Sequence, residues 1–487
     1  MSIRGRILRH TWPRAVYTLC PNPNKSARMK SKRLELLKTD LPHFRGTVVV
    51  NGVTENPNQM EYLTNVISLK IDCGLSKYRE MIPPEGFQHL RNLKKLEAKQ
   101  VLLKDEAFQH LSHVETVDIK ECDKNDLSSN GISHLTNVRE LDISGCKQTA
   151  ISNDAFEHLH NLRKLTMKQC TQETIDDLAF SHLSHIRELD MSFCKQTTIS
   201  DDAFAHLANV TKLSINACRQ GRITDDAFTH LKNVKHLEMN LCNGNWITDA
   251  GIRCLTNVQD LSMESCFQET ITDSVFQSLS NLTSLNVSKC TQLRDESFRR
   301  LRRLSSLRMR GLSQEEVSDE AFEYLSNLTF LEMSCCSQTT ITDDAFQHLQ
   351  DLKHLLMRGC NQSTITDAAF EHLRSAESIS MANCNQSTIT DEAFRHLGGL
   401  KSLDISECSQ RTITDAAFDH FSSLSALVMR GCNQTTITKE AISKLWRHAK
   451  DLKYLEADAC MQSTLNKQVF EDLRPRLRKL SYSSILR

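Results

Sequence analysis

The sequence predicts an α/β solenoid, in which a short strand and a short helix alternate around a coil that closes every 24 residues. Three observations predict it. Cys122, Cys146, Cys170, Cys194, Cys218, Cys242, Cys266 and Cys290 fall 24 residues apart, and after Leu312 the series resumes at Cys336, Cys360, Cys384, Cys408 and Cys432. The positions around each cysteine recur with it, the best copies reading L-x-x-L-x-M-x-x-C-x-Q-x-T-I-T-D-x-A-F-x-H-L-x-N. Large apolar residues recur as well: fourteen of the 19 phenylalanines occupy the A-F position.

Each part of the unit has a physical reading. L-x-M alternates apolar and polar residues, the period of a strand with one buried face. Eighteen strand centres follow, from Leu69, Leu96 and Val117 to Leu427, Leu455 and Leu480. The second threonine of T-I-T-D suits a helix N-cap, and the aspartate after it complements the helix dipole. A-F-x-H-L-x-x-L places Phe, Leu and Leu three residues apart, one face of a short helix. A strand, turn and helix in 24 residues must return to a parallel neighbour, so identical units stack with strands about 4.8 Å apart. The strands are expected to form a curved, concave sheet and the helices the convex side.

The core L-x-x-L-x-L-x-x-C followed by I-T-D resembles the cysteine-containing class of leucine-rich repeats, over roughly residues 63–487. That resemblance implies a leucine-rich-repeat solenoid that binds proteins and carries no catalytic site. Because the class is familiar from F-box proteins, it also implies an alternative role as substrate-recognition subunit of a ubiquitin ligase. No F-box is visible, since the only Leu-Pro start, Leu41-Pro42, lies some 20 residues before the first unit.

The organisation expected is a flexible basic segment at 1–40, an N-terminal cap at 41–62, repeats at 63–473 with an irregular unit near 290–312, and a C-terminal cap at 474–487. Residues 1–33 hold nine Lys or Arg and no acid, so the rest of this formally neutral chain balances at 51 basic against 60 acidic side chains. A general grip on nucleic acid by the repeats is therefore excluded, leaving residues 1–33 for nucleic-acid or acidic-partner contact, or for a nuclear or organelle address. No window approaches the roughly 18 apolar residues of a membrane span. Cysteines strung singly along a rod cannot converge on a metal, so they read as buried thiols in a reducing compartment such as the cytoplasm. The histidine before Leu (His89, His348, His372 and others) reads as a helix-terminal surface residue, and the Gln two after the cysteine as an amide ladder.

No nucleophile elbow, phosphate-cradling loop or isolated carboxylate pair appears, so the chain reads as a non-enzyme with no cofactor and no metal, acting as a monomer. Partner binding falls to exposed strand positions that the repeat leaves free. Towards the C-terminus these include Arg308, Arg310, Phe330, Glu332, His354, Arg358, Asp404, Arg430 and Tyr454. Arginine with aromatics is hot-spot composition, and Arg310, Arg358 and Arg430 share one column. The irregular unit, rich in arginine from Arg294 to Arg310, reads as a hinge or as a patch for an acidic partner, and Trp246 as a second anomaly.

Overall fold

A computed structural model describes residues 16–19, 47–51, 63–72, 84–99 and, with short gaps, 101–482. The basic run at 1–15 and 20–33 lies outside the described residues. The chain divides into two compact units, Met1–Val234 and Lys235–Arg487.

The first unit is built on nine strands: β1 (Val16–Leu19), β2 (Thr47–Asn51), β3 (Ser68–Asp72), β4 (Lys95–Lys99), then β5 to β9 at Thr116–Asp118, Glu140–Asp142, Lys164–Thr166, Glu188–Asp190 and Lys212–Ser214. Every pairing from β1–β2 to β8–β9 is parallel and joins sequence neighbours, and Leu141, Leu165, Leu189 and Leu213 sit opposite one another. Short helical turns follow the strands, for example Asp177–Ser181 and Asp201–Ala205. Phe156, Phe180 and Phe204 are buried beneath them.

The second unit repeats the plan with β10 to β20 at His236–Glu238, Asp260–Ser262, Ser284–Asn286, Ser306–Arg308, Phe330–Glu332, His354–Leu356, Ser378–Ser380, Ser402–Asp404, Ala426–Val428, Tyr454–Glu456 and Lys479–Ser481. These too pair in parallel in sequence order. All eighteen strand centres expected from the repeat lie in strands. Between Cys122 and Cys460, two coils depart from 24 residues. The coil from Cys290 to Leu312 has 22 residues, yet Leu285 still faces Leu307. The coil from Cys432 to Cys460 has 28, because its helix, Lys439–His448, is one turn longer than its neighbours; Leu427 still faces Leu455.

Ladders of polar bonds tie each coil to the next. In the regular coils the cysteine thiol donates to the carbonyl of the residue that follows the strand, 27 positions earlier, as in Cys194 to Met167 at 2.9 Å and Cys360 to Met333 at 2.9 Å. Burial pushes the Cys194 and Cys360 thiols up to about 12, so each stays a neutral donor. The sixteen described cysteines are free thiols. Just before each cysteine the chain takes a left-handed bend, at Gln169 (φ 56°) and Phe193 (φ 62°) in the first unit and at Gly359 (φ 69°) and Glu407 (φ 59°) in the second. The bend aims that residue's N–H at the next coil, Gly359 reaching the Ala382 carbonyl at 2.8 Å. For residues other than glycine it costs about 1–2 kcal/mol.

Both threonines of T-I-T work between coils. The first donates to the isoleucine carbonyl one coil earlier, as Thr388 does to Ile365 at 2.9 Å. The second caps its own helix and also meets the aspartate of the preceding coil, which accepts its N–H and its hydroxyl together. Thr390 meets Asp367 in this way at 2.7 and 2.7 Å, and Thr224 meets Asp201 at 2.7 and 2.7 Å. Within the second unit this clamp is interrupted where an arginine replaces the threonine. Arg294 occupies the threonine position opposite Asp273, and no bond joins them among the described residues. The expected glutamine column is buried, Gln196 and Gln338 fully so. Its amides do not form a mutual ladder: Gln148 donates to the Cys122 carbonyl and Gln292 to that of Cys266 at 3.2 Å, whereas both polar atoms of Gln338, Gln362 and Gln386 lack partners.

Candidate binding face

Strand residues alternate between the core and one open face, so each strand of the second unit offers two such positions, and the residue before its left-handed bend supplies a third. Parallel register sorts these into three columns. One runs Ser306, Phe330, His354, Ser378, Ser402, Ala426, Tyr454; the next runs Arg308, Glu332, Leu356, Ser380, Asp404, Val428, Glu456. The repeat spacing places Arg310, Ser334, Arg358, Ala382, Ser406, Arg430 and Asp458 in the third. At about 4.8 Å per strand the face from β13 to β19 is about 29 Å long.

Six of the nine sequence-predicted residues gather on β13 to β15. The Arg308 guanidinium lies over the Phe330 ring at 4.8 Å, and its Nε sits 3.5 Å from Glu332. Phe330 in turn abuts the His354 ring at 6.4 Å. A cation stacked on an aromatic face and held by a carboxylate is a preordered recognition element. Arg358 reaches past one coil to Glu407 at 2.9 Å, while the Arg310 guanidinium has no ion-pair partner among the described residues. The other three predicted residues stand apart. Asp404 accepts from the Ser380 hydroxyl at 3.1 Å and the Ser406 N–H at 3.0 Å. Arg430 and Lys479 both contact Glu456, and the Lys479 hydrogen bond chiefly holds that carboxyl below its ordinary value. Tyr454 is exposed. Between the two groups lies a low floor that the sequence reading passed over: Ser378, Ser380, Ala382, Ser402 and Ser406 are all half-buried or buried. The signal was present as small residues at consecutive free positions.

The first unit uses the same positions differently. Lys70 and Lys95 pair with Glu97 at 3.4 and 2.7 Å, Lys120 with Asp118 and Asp142 at 2.9 and 3.0 Å, and Lys168 with Asp190 at 2.8 Å. Burial opposes protonation of Lys120, but its two aspartate hydrogen bonds prevail and raise its pKa.

Parallel strands in sequential register, one strand and one short helical turn per coil, and a cysteine column bonded to the neighbouring backbone define a leucine-rich-repeat solenoid. The chain belongs to the family with the BspA-type leucine-rich repeat region, whose profile matches residues 80–205, 197–329 and 339–450. Among curated proteins no sequence matches it. Solved structures that share the fold include the following three. TLR13 in its complex with ssRNA13 is 18% identical over 87% of this chain, with a TM-score of 0.60; this chain spans 62% of the TLR13 chain. A leucine-rich-repeat protein of Leptospira interrogans is 17% identical over 83% of this chain and 93% of its own, with a TM-score of 0.51. The Toll–Spatzle complex of Drosophila supplies a third, 14% identical over 94% of this chain and 57% of that one, with a TM-score of 0.50. Leucine-rich-repeat proteins generally mediate protein–protein interaction. Among the described residues no helix is long and apolar enough to cross a membrane.

Proposed function

We propose that this chain is a non-catalytic binding module that captures a protein partner on the strand face between Ser306 and Tyr454. One observation carries the reading. The core and lateral ladders repeat from coil to coil, yet at β13 to β15 the free positions hold Arg308 stacked on Phe330 beside His354. The fold does not require these residues, and Arg with aromatics is the composition of interface hot spots. The serine and alanine floor beyond them gives a partner's backbone room to approach, with Arg430 and Tyr454 as the far boundary. Thiols that are buried and donate to carbonyls suit a reducing compartment, which supports a site of action such as the cytoplasm.

The test places a photo-crosslinking residue at His354, at Ser402 or, as control, at Lys164, and identifies what is captured in native cells. Capture of one protein from the first two sites and not from the third supports the face. Arg310→Glu combined with Arg358→Glu then abolishes that capture with thermal stability near wild type; capture that is indifferent to both changes ends the proposal.

A further inference from the structure

The irregular coil carries a second charged surface on its helical side, and we propose that residues 294–303 dock an acidic protein segment there. Arg294, Arg299, Arg300, Arg302 and Arg303 are all exposed. Their direction is set by the core: Phe298, Leu301 and Leu304 are buried, so the residues on either side of Leu301 face outward. Internal neutralisation is slight. Arg299 pairs with Glu296 at 3.4 Å, and Arg303 donates to the Asn281 side chain at 3.0 Å. Arg300 and Arg302 make no side-chain hydrogen bond or ion pair among the described residues. Like charges crowded on one short turn repel one another, so the cluster burdens the coil that carries it. That burden lifts when carboxylates arrive, because each planar guanidinium can bind one in a bidentate fork.

The footprint favours a peptide over a nucleic acid. It is one coil deep. The preceding coil offers neutral Gln277, Ser278, Ser280 and Asn281 at the matching positions, and the following coil offers Glu323, Tyr324, Ser326 and Asn327 there, with Glu320 three residues before Glu323. A polyphosphate strand running along the solenoid would meet those acids, whereas a short acidic segment crossing a single coil would not. Charge patterning, a paired acid only at its margin, and an unclamped rung at Asp273 and Arg294 all single out this coil.

The experiment uses the full chain and two probes carrying the same dye: an octapeptide with four glutamates, and a single-stranded oligodeoxynucleotide. Fluorescence anisotropy at low ionic strength is expected to show peptide binding that weakens about tenfold in Arg300→Gln/Arg302→Gln. That variant should melt no lower than wild type, since it removes repulsion. The control Arg395→Gln/Arg447→Gln, altering arginines already held by Glu392 and Glu440, should bind as wild type does. Peptide affinity unchanged by the first variant overturns the proposal. So does an oligonucleotide that binds more tightly than the peptide through the same arginines.

Discussion

The strand faces of the two units occupy identical places in the repeat and are furnished in opposite ways. From β3 to β8, lysines alternate with aspartates and glutamates one coil away, and the charges close on one another. From β13 to β19 the face is uneven, with a stacked arginine, a histidine, a floor of small residues and a tyrosine. The interiors of the two units do not differ in kind, since both stack phenylalanine, cysteine and paired threonine with aspartate. What varies while the core stays constant is not demanded by folding. The first face pairs lysines with carboxylates from coil to coil, whereas the second sets among its paired arginines one without an ion-pair partner among the described residues, Arg310, and the exposed Tyr454.

The sharpest test of that equivalence is in the core. Phe204→Ala and Phe346→Ala should each cost about 3–5 kcal/mol, because a fully buried ring leaves a cavity. Denaturant melts of the two variants should agree; a loss in one unit only would break the claim of matched interiors. On the faces the units should part company. Phe330→Ala is expected to weaken the captured partner about thirtyfold, the loss of a hot-spot aromatic worth about 2 kcal/mol. Lys168→Ala should change stability by at most about 1 kcal/mol and leave partner affinity unaltered, because its exposed pair with Asp190 serves only the face itself. Equilibrium binding checks both.

Between coils the prediction is again symmetrical. Asp367→Ala strands the Thr390 N–H and hydroxyl, and Asp201→Ala those of Thr224, at about 1–3 kcal/mol each. Faster amide exchange at Thr390 and Thr224 would register the loss. The smallest effect is pH-dependent. Lys479 and Arg430 hold the Glu456 carboxyl below its ordinary value of 4.5, so its contribution is fully present at neutral pH and disappears as pH falls below that value. The melting difference between wild type and Glu456→Gln, up to about 1 kcal/mol at pH 7, should shrink towards pH 3. A difference that grows on acidification would contradict the assignment.

The fold was legible because the repeat writes its period in the sequence: the strand centres from Val117 to Leu285 and from Leu331 to Leu455 could be placed by counting back from the cysteines, and Leu69, Leu96, Leu307 and Leu480 by the leucine pattern around them. The lateral bonding was less so. The aspartate after T-I-T reads locally as a dipole partner, for which Glu would serve equally. Yet that position is Asp at 201, 249, 319, 343, 367, 391 and 415 and never Glu, while the next position varies freely. The restriction reflects a two-pronged acceptor whose reach must match one neighbouring threonine. Locating it requires knowing which groups stacking brings opposite each other. The candidate face was legible as composition but not as arrangement. Nothing in the order of residues says that Arg308 lies on Phe330, that Arg358 skips a coil to Glu407, or that Gln338 and Gln362 bury their amides without meeting one another.

The long helix at Lys439–His448 has a consequence for how such a chain can change length. Adding four residues there supplies close to one helical turn at 3.6 residues per turn, so the peptide re-enters the sheet at the same angular position and Tyr454 still finds Ala426. An insertion of two residues in the same helix would rotate its apolar stripe by about half a revolution and turn Leu445 towards water. Drift within that helix is therefore quantised: whole turns keep the apolar stripe on the core, and smaller changes fall in the turns, as in the 22-residue coil that still pairs Leu285 with Leu307.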